Sequence, residues 1–143
     1  MSGRWRDERG SASIEALMLV PVVALIVMVV VFGGRVAIAR QSVTVAAADA
    51  ARAASLARTA SQATSAARST ATATLTNQGL TCRRIGISVD TGGFAVPVGR
   101  PATVTVRVSC DLSVADLSIP GVPGSIQLEA TAGNPLDTYR ERR

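Results

Sequence analysis

The chain has no histidine and no lysine, and its 143 residues contain just Trp5, Phe32, Phe94 and Tyr139 as aromatic side chains. Without imidazole it lacks the side chain that most often serves as a general base near neutral pH or as a metal ligand. Without lysine there can be no glycine-rich phosphate loop of the type that ends in Lys followed by Ser or Thr. So few aromatics leave no stacking platform for single-stranded nucleic acid. Cysteine is limited to Cys82 and Cys110, too distant in sequence for the paired C-x-x-C spacing of a zinc or redox centre. These absences argue against an enzyme, and no metal, cofactor or nucleic-acid partner is expected.

What is present is unevenly distributed. All 15 basic residues are arginine, and the net charge of +5 is spread from Arg4 to Arg143 rather than gathered into a basic block. Hydrophobic residues make up 48% of the chain and charged ones 17%, with a mean hydropathy of +0.31. That average is raised by one segment. Residues 16–34 carry no charge and no strongly polar side chain. As a helix rising about 1.5 Å per residue they would extend about 28 Å, close to the roughly 30 Å of a bilayer's hydrocarbon core. The rest of the chain is too short and too polar to wrap a helix that is apolar all round. A membrane span is therefore expected over residues 11–34, behind a polar leader of residues 1–10. Pro21 falls inside the run, where it removes one helix hydrogen bond and should bend the axis, a feature tolerated in membrane helices.

From Arg35 to Thr76 the chain turns to Ala, Ser, Thr and scattered Arg, with no Gly or Pro, and reads as one extramembrane helix over residues 35–76. Val43, Ala46, Ala47, Ala50, Ala53, Ala54, Ala57, Ala60, Thr64, Ala67, Ala71 and Leu75 recur at three- and four-residue steps. They form either a packing stripe or a by-product of abundant alanine. Gly79 supplies a helix stop. Beyond it, residues 77–143 read as a small β-rich domain. Ile85, Ile87 and Val89 alternate along residues 83–90, and Val104, Val106 and Val108 along residues 102–112, predicting an antiparallel hairpin with a long loop. A weaker third strand is expected over Ser125–Thr131. A hairpin is not stable alone, so the strands should pack on the helix.

Cys82 and Cys110 could join the two ends of that hairpin, and a lone cysteine pair outside the membrane favours a disulfide; the alternative is two buried thiols. Strict alternation puts Cys82 on the face opposite Ile85, Ile87 and Val89. A bulge, or a position just before the strand, would reconcile the pair.

The most informative residue is Glu15, a carboxylate at the lip of the apolar run, where a charge needs a partner or the headgroup layer. Gly10, Ser11, Ala12, Ser13, Ile14 and Glu15, followed by an apolar helix containing Pro21, resemble the class-III signal of type IV pilin-like proteins. More narrowly, Arg9 and Gly10 through Val20, Pro21 and Val22, with the later run Ala46–Ala54, are similar to the TadE-like pseudopilins of tight-adherence (Flp) pilus systems; Ala16 stands where that family usually has an aromatic residue. The resemblance covers roughly residues 9–55. It implies cleavage by a prepilin peptidase between Gly10 and Ser11, and pairing of Glu15 with the freed amine of Ser11 on a neighbouring subunit. It also implies a pilin-like α+β fold, in which a long N-terminal helix, membrane-spanning in its first half, is packed by a small antiparallel sheet. Its expected partners are other pilin-like subunits, the peptidase, the pilus assembly platform and membrane lipid.

Arg4, Arg6 and Arg9 precede the span while Arg35 and Arg40 follow it, so flanking charge does not set the orientation. The resemblance places the leader in the cytoplasm and the cysteine-bearing domain outside. Two other readings stand beside it. Ala37, Ile38 and Ala39 form an A-x-A site that would release a secreted protein beginning at Arg40. An uncleaved signal anchor carrying an outer binding domain would need neither cut.

Overall fold

The computed structural model describes residues 9–113 and 124–139, with side chains from Leu17 onward. The expected leader and the loop between the second and third strands therefore lie largely outside the described residues. The chain divides into two units, residues 1–37 and residues 38–143.

The described part of the first unit is helical throughout and belongs to α1, which runs Arg9–Ser55 and passes through Pro21 without ending. Proline's missing N–H forfeits one rung of the helical ladder. The side chains from Leu17 to Val31 are exposed, as expected for a helix apolar on every side whose solvent is lipid or other helices.

The second unit places the remainder of α1, a second helix α2 (Ala60–Asn77) and strands β1 (Cys82–Asp90), β2 (Thr103–Ser113) and β3 (Ser125–Pro135) around one core. The strands form an antiparallel meander in the order β1-β2-β3. Central β2 buries Val104, Val106, Val108 and Cys110 completely, while Thr103 and Arg107 face solvent. This is the period-two alternation of a sheet with one covered face. Val106 lies opposite Val89 and Ala132, and Val108 opposite Ile87 and Ala130. The helices complete the core with Ala39, Val43, Ala46, Ala47, Ala50, Ala51 and Ala54 from α1 and with Ala63, Ala67, Ala71 and Leu75 from α2. The small-residue stripe is thus a packing face: short side chains let backbones approach closely. Ala53, Ala57, Ala60 and Thr64 sit at its half-exposed margin, and Ala39, Ala51 and Ala63 join it.

The single helix expected over residues 35–76 is instead two. α1 stops at Ser55, and α2 starts behind Thr59, whose extended backbone (φ −126°, ψ 154°) and hydroxyl accept the role of N-cap, with Gln62 N–H donating to Thr59 Oγ1 at 3.2 Å. Thr59, Ala60, Ser61 and Gln62 have the Thr-x-x-Gln pattern of a capping box, which starts a helix without glycine or proline. The break lets α2 return antiparallel: Thr74 Oγ1 donates to Asp49 Oδ2 at 3.3 Å. At its far end α2 closes as expected at Gly79, whose φ of +70° few other residues adopt. Leu80 N–H donates to Leu75 O and Gly79 N–H to Thr76 O, the paired bonds of a Schellman cap, with Leu80 tucked against the core.

The third strand is longer than expected. It pairs with β2 from Ser113↔Ser125 to Thr103↔Pro135, and Leu136 N–H then donates to Ala102 O at 2.8 Å while its side chain is buried. Between β1 and β2, Asp90 accepts from Gly92 N–H at 2.9 Å, and a short 3-10 turn, Gly92–Ala95, delivers Phe94 into the core. A Cβ at Gly93 would run into the carbonyl oxygen of Thr103 and the Leu136 side chain, so this close approach requires glycine.

Candidate functional site

Gly10, Ser11 and Glu15 all lie on α1, with Gly10 and Ser11 in its first turn and Glu15 one turn further on. Their side chains fall outside the described residues. The helix carrying them continues into the segment beginning at Leu17, which has an 18-residue window of mean hydropathy 2.8, none of it buried within the chain. A soluble core helix would be covered by its own domain; this one is not. It is a single apolar helix long enough to cross a membrane.

The Ala37, Ile38 and Ala39 site lies in mid-helix, and Ala39 is 5% exposed and part of the core. Further along, Ser42 and Ser55 are the buried polar side chains among the described residues. Each satisfies its hydroxyl by donating to a helix carbonyl, Ser42 to Ile38 and Ser55 to Arg52.

The structure joins Cys82 to Cys110 across β1 and β2, with Cα atoms 5.4 Å apart. Register resolves the parity conflict. Ile85 pairs with Cys110 and Arg84 with Asp111, but the ladder slips between Cys82 and Arg84, leaving Cys82 opposite Leu112. The extra residue turns Cys82 to the inner face on which Cys110 is buried.

No group of three or more metal-ligating side chains occurs among the described residues. Arg107 and Glu129 form an ion pair at 3.2 Å on the outer, solvent-facing side of the sheet. One feature not anticipated from the sequence is a cleft between α1 and β3, lined by Arg40, Thr44, Gln127, Leu128 and Glu129. Sequence offers only half a signal for it: Arg40 and Thr44 stand four apart on a helix, but their neighbours on β3 are more than eighty positions away.

Compared with known proteins, residues 10–52 match the family model described as TadE-like protein. No curated protein and no solved structure matches the chain. The match begins at the glycine before Ser11, takes in Glu15 and Pro21, and ends in the core-forming part of α1. It rests on the helix and not on the sheet, and over those residues the chain is similar to the TadE-like family.

Proposed function

We propose that the chain is a minor pseudopilin of a tight-adherence pilus or a related secretion system, a structural subunit rather than an enzyme. In this reading residues 1–10 are a cytoplasmic leader, residues 11–34 span the membrane, and the rest of α1 with α2 and the sheet forms an extracytoplasmic domain. A prepilin peptidase cuts between Gly10 and Ser11. The apolar half of α1 is stored in lipid and then packs against other pilin-like helices on the assembly platform. Glu15 sets the axial register by pairing with the Ser11 amine of a neighbouring subunit; opposite charges at an apolar boundary cost far less together than apart.

The observation that carries this reading is the composition of α1 along its length. One uninterrupted helix, Arg9–Ser55, holds the Gly10 to Glu15 segment, then an apolar stretch that none of the described residues buries, then the face that builds the core. A helix that is half anchor and half domain suits a subunit that must move between lipid and a helical assembly. The helical, buried setting of Ala39 supports retention of the anchor over secretion after that residue.

The mass of the mature N-terminus tests the reading. A chain beginning at Ser11 is the expected product. One beginning at Arg40 would replace the pseudopilin with a secreted protein, and one retaining Met1 or Ser2 would leave an uncleaved anchor with an outer binding domain.

A further inference from the structure

The two sulfurs of the Cys82–Cys110 bond sit in unequal surroundings. Cys110 lies in β2, the central strand of the three, with Ile85 of β1 opposite it on one side and Leu128 of β3 on the other. It is 0% exposed and belongs to the core. Cys82 is the first residue of β1, which pairs on one side only among the described strands. It is half-buried between exposed Thr81 and exposed Arg83, and the ladder slips directly after it. Uncovering Cys110 means parting β2 from its neighbours. Uncovering Cys82 means fraying the start of an edge strand. Local opening free energies cover that whole range within one domain, from near zero at frayed ends to the global value in central strands.

We propose that Cys82 is the sulfur through which this bond exchanges with external thiols and disulfides, and that Cys110 is its internal resolving partner. Thiol–disulfide exchange is a displacement at sulfur, and its course depends on which sulfur the attacker can reach. In the forming direction the Cys82 thiolate attacks a disulfide-bearing oxidant. A mixed disulfide forms between Cys82 and one sulfur of the oxidant, and the other sulfur leaves with the electron pair as a thiolate. Cys110, as a thiolate, then attacks Cys82 Sγ, which closes the internal bond and expels the oxidant's remaining sulfur. Two cysteine thiols are oxidised, one external disulfide is reduced to two thiols, and the cysteine protons pass through solvent to the departing thiolates. In the breaking direction an external thiolate adds to Cys82 Sγ and the electron pair leaves on Cys110. The slip between Cys82 and Arg84 makes both roles compatible: it turns Cys82 inward to meet Cys110 and still leaves it at the open end of the strand.

Sulfitolysis of the oxidised full chain in mild detergent, without denaturant, tests the assignment. Sulfite leaves an S-sulfonate on the sulfur it attacks and frees the other as a thiolate, which is capped with N-ethylmaleimide before peptide mass spectrometry. The S-sulfonate should favour Cys82 over Cys110 by about tenfold or more, because only Cys82 is reached by local opening. In denaturant, where both sulfurs are open, the ratio should fall close to one. An even distribution on the folded chain would show that exchange waits for global unfolding and would overturn the proposal; so would a majority at Cys110.

The single variants give a second reading with oxidised glutathione as the probe. Cys110→Ser should form its mixed disulfide at Cys82 at least about tenfold faster than Cys82→Ser forms one at Cys110. Equal rates in two variants that both keep the parent's circular dichroism would also overturn the proposal. Where a variant loses that signal, the sulfitolysis ratio on the parent chain decides.

Discussion

Asn134 Nδ2 donates to Ser55 Oγ at 2.8 Å, joining the last residue of α1 to the end of β3 across most of the second unit's sequence. Ser55 in turn donates to Arg52 O at 2.8 Å, so a single hydroxyl closes the helix and ties it to the sheet. Asn134→Ala should leave the helix-closing bond intact and remove the tie. The expected cost is about 1 kcal/mol, read as a lowered thermal midpoint of the detergent-solubilised chain. An unchanged midpoint would mean that water replaces the amide without loss.

The helix break depends on Thr59. Thr59→Ala removes the acceptor for Gln62 N–H and should destabilise the second unit by about 1 kcal/mol. Thr59→Asp should restore it, because a carboxylate caps a helix N-terminus at least as well. Chemical denaturation of the three proteins side by side distinguishes capping from a general intolerance of the position.

The Cys82–Cys110 bond closes a loop with a sequence separation of 28, which in the chain-entropy account is worth about 3.5 kcal/mol. The Cys82→Ser, Cys110→Ser double variant should lose stability on that scale and become sensitive to proteolysis in the β1–β2 region. Reducing agent should do the same to the parent chain and leave the double variant unaffected.

The alanine face can be tested with paired substitutions one half-turn apart. Ala50 is fully buried, whereas Ala48 is exposed on the same helix. Ala50→Leu should overpack the core and cost about 1–3 kcal/mol, while Ala48→Leu should be close to neutral. Similar effects at both would show that the packing face is not the one described.

In the proposed reading Glu15 serves assembly rather than insertion. Glu15→Ala removes a charge whose transfer to mid-bilayer costs roughly 2.5–3.5 kcal/mol, so membrane insertion should be undiminished while pilus assembly falls. Unchanged assembly, counted by surface pili or sheared-filament yield, would refute the pairing role.

Much of the molecule was legible in the residues because its signals are local. Residues 16–34 are apolar without interruption, the valines of β2 alternate, and Gly79 stands where a helix must end in positive φ. The break at Leu56–Thr59 was legible in principle, since Thr59 and Gln62 have capping spacing, but an Ala-rich stretch without glycine or proline hides it. Other features carried no local signal. The slip between Cys82 and Arg84 exists because an inward Cys82 can reach buried Cys110, a relation between strands. The extension of β3 through Gly133 and Asn134 runs against their low strand propensity and is held by pairing with Val104 and Thr105 of β2.

The amino-acid order by itself determined the division of the chain into an apolar helix, an alanine-rich helical segment and a set of alternating strands, because hydropathy and periodicity act over a few neighbouring residues. Tertiary structure decided where the helix folds back, which alanines become core, and how the cysteines meet. Each of these is a contact between distant segments, whose energy exists only once the helices lie on the sheet.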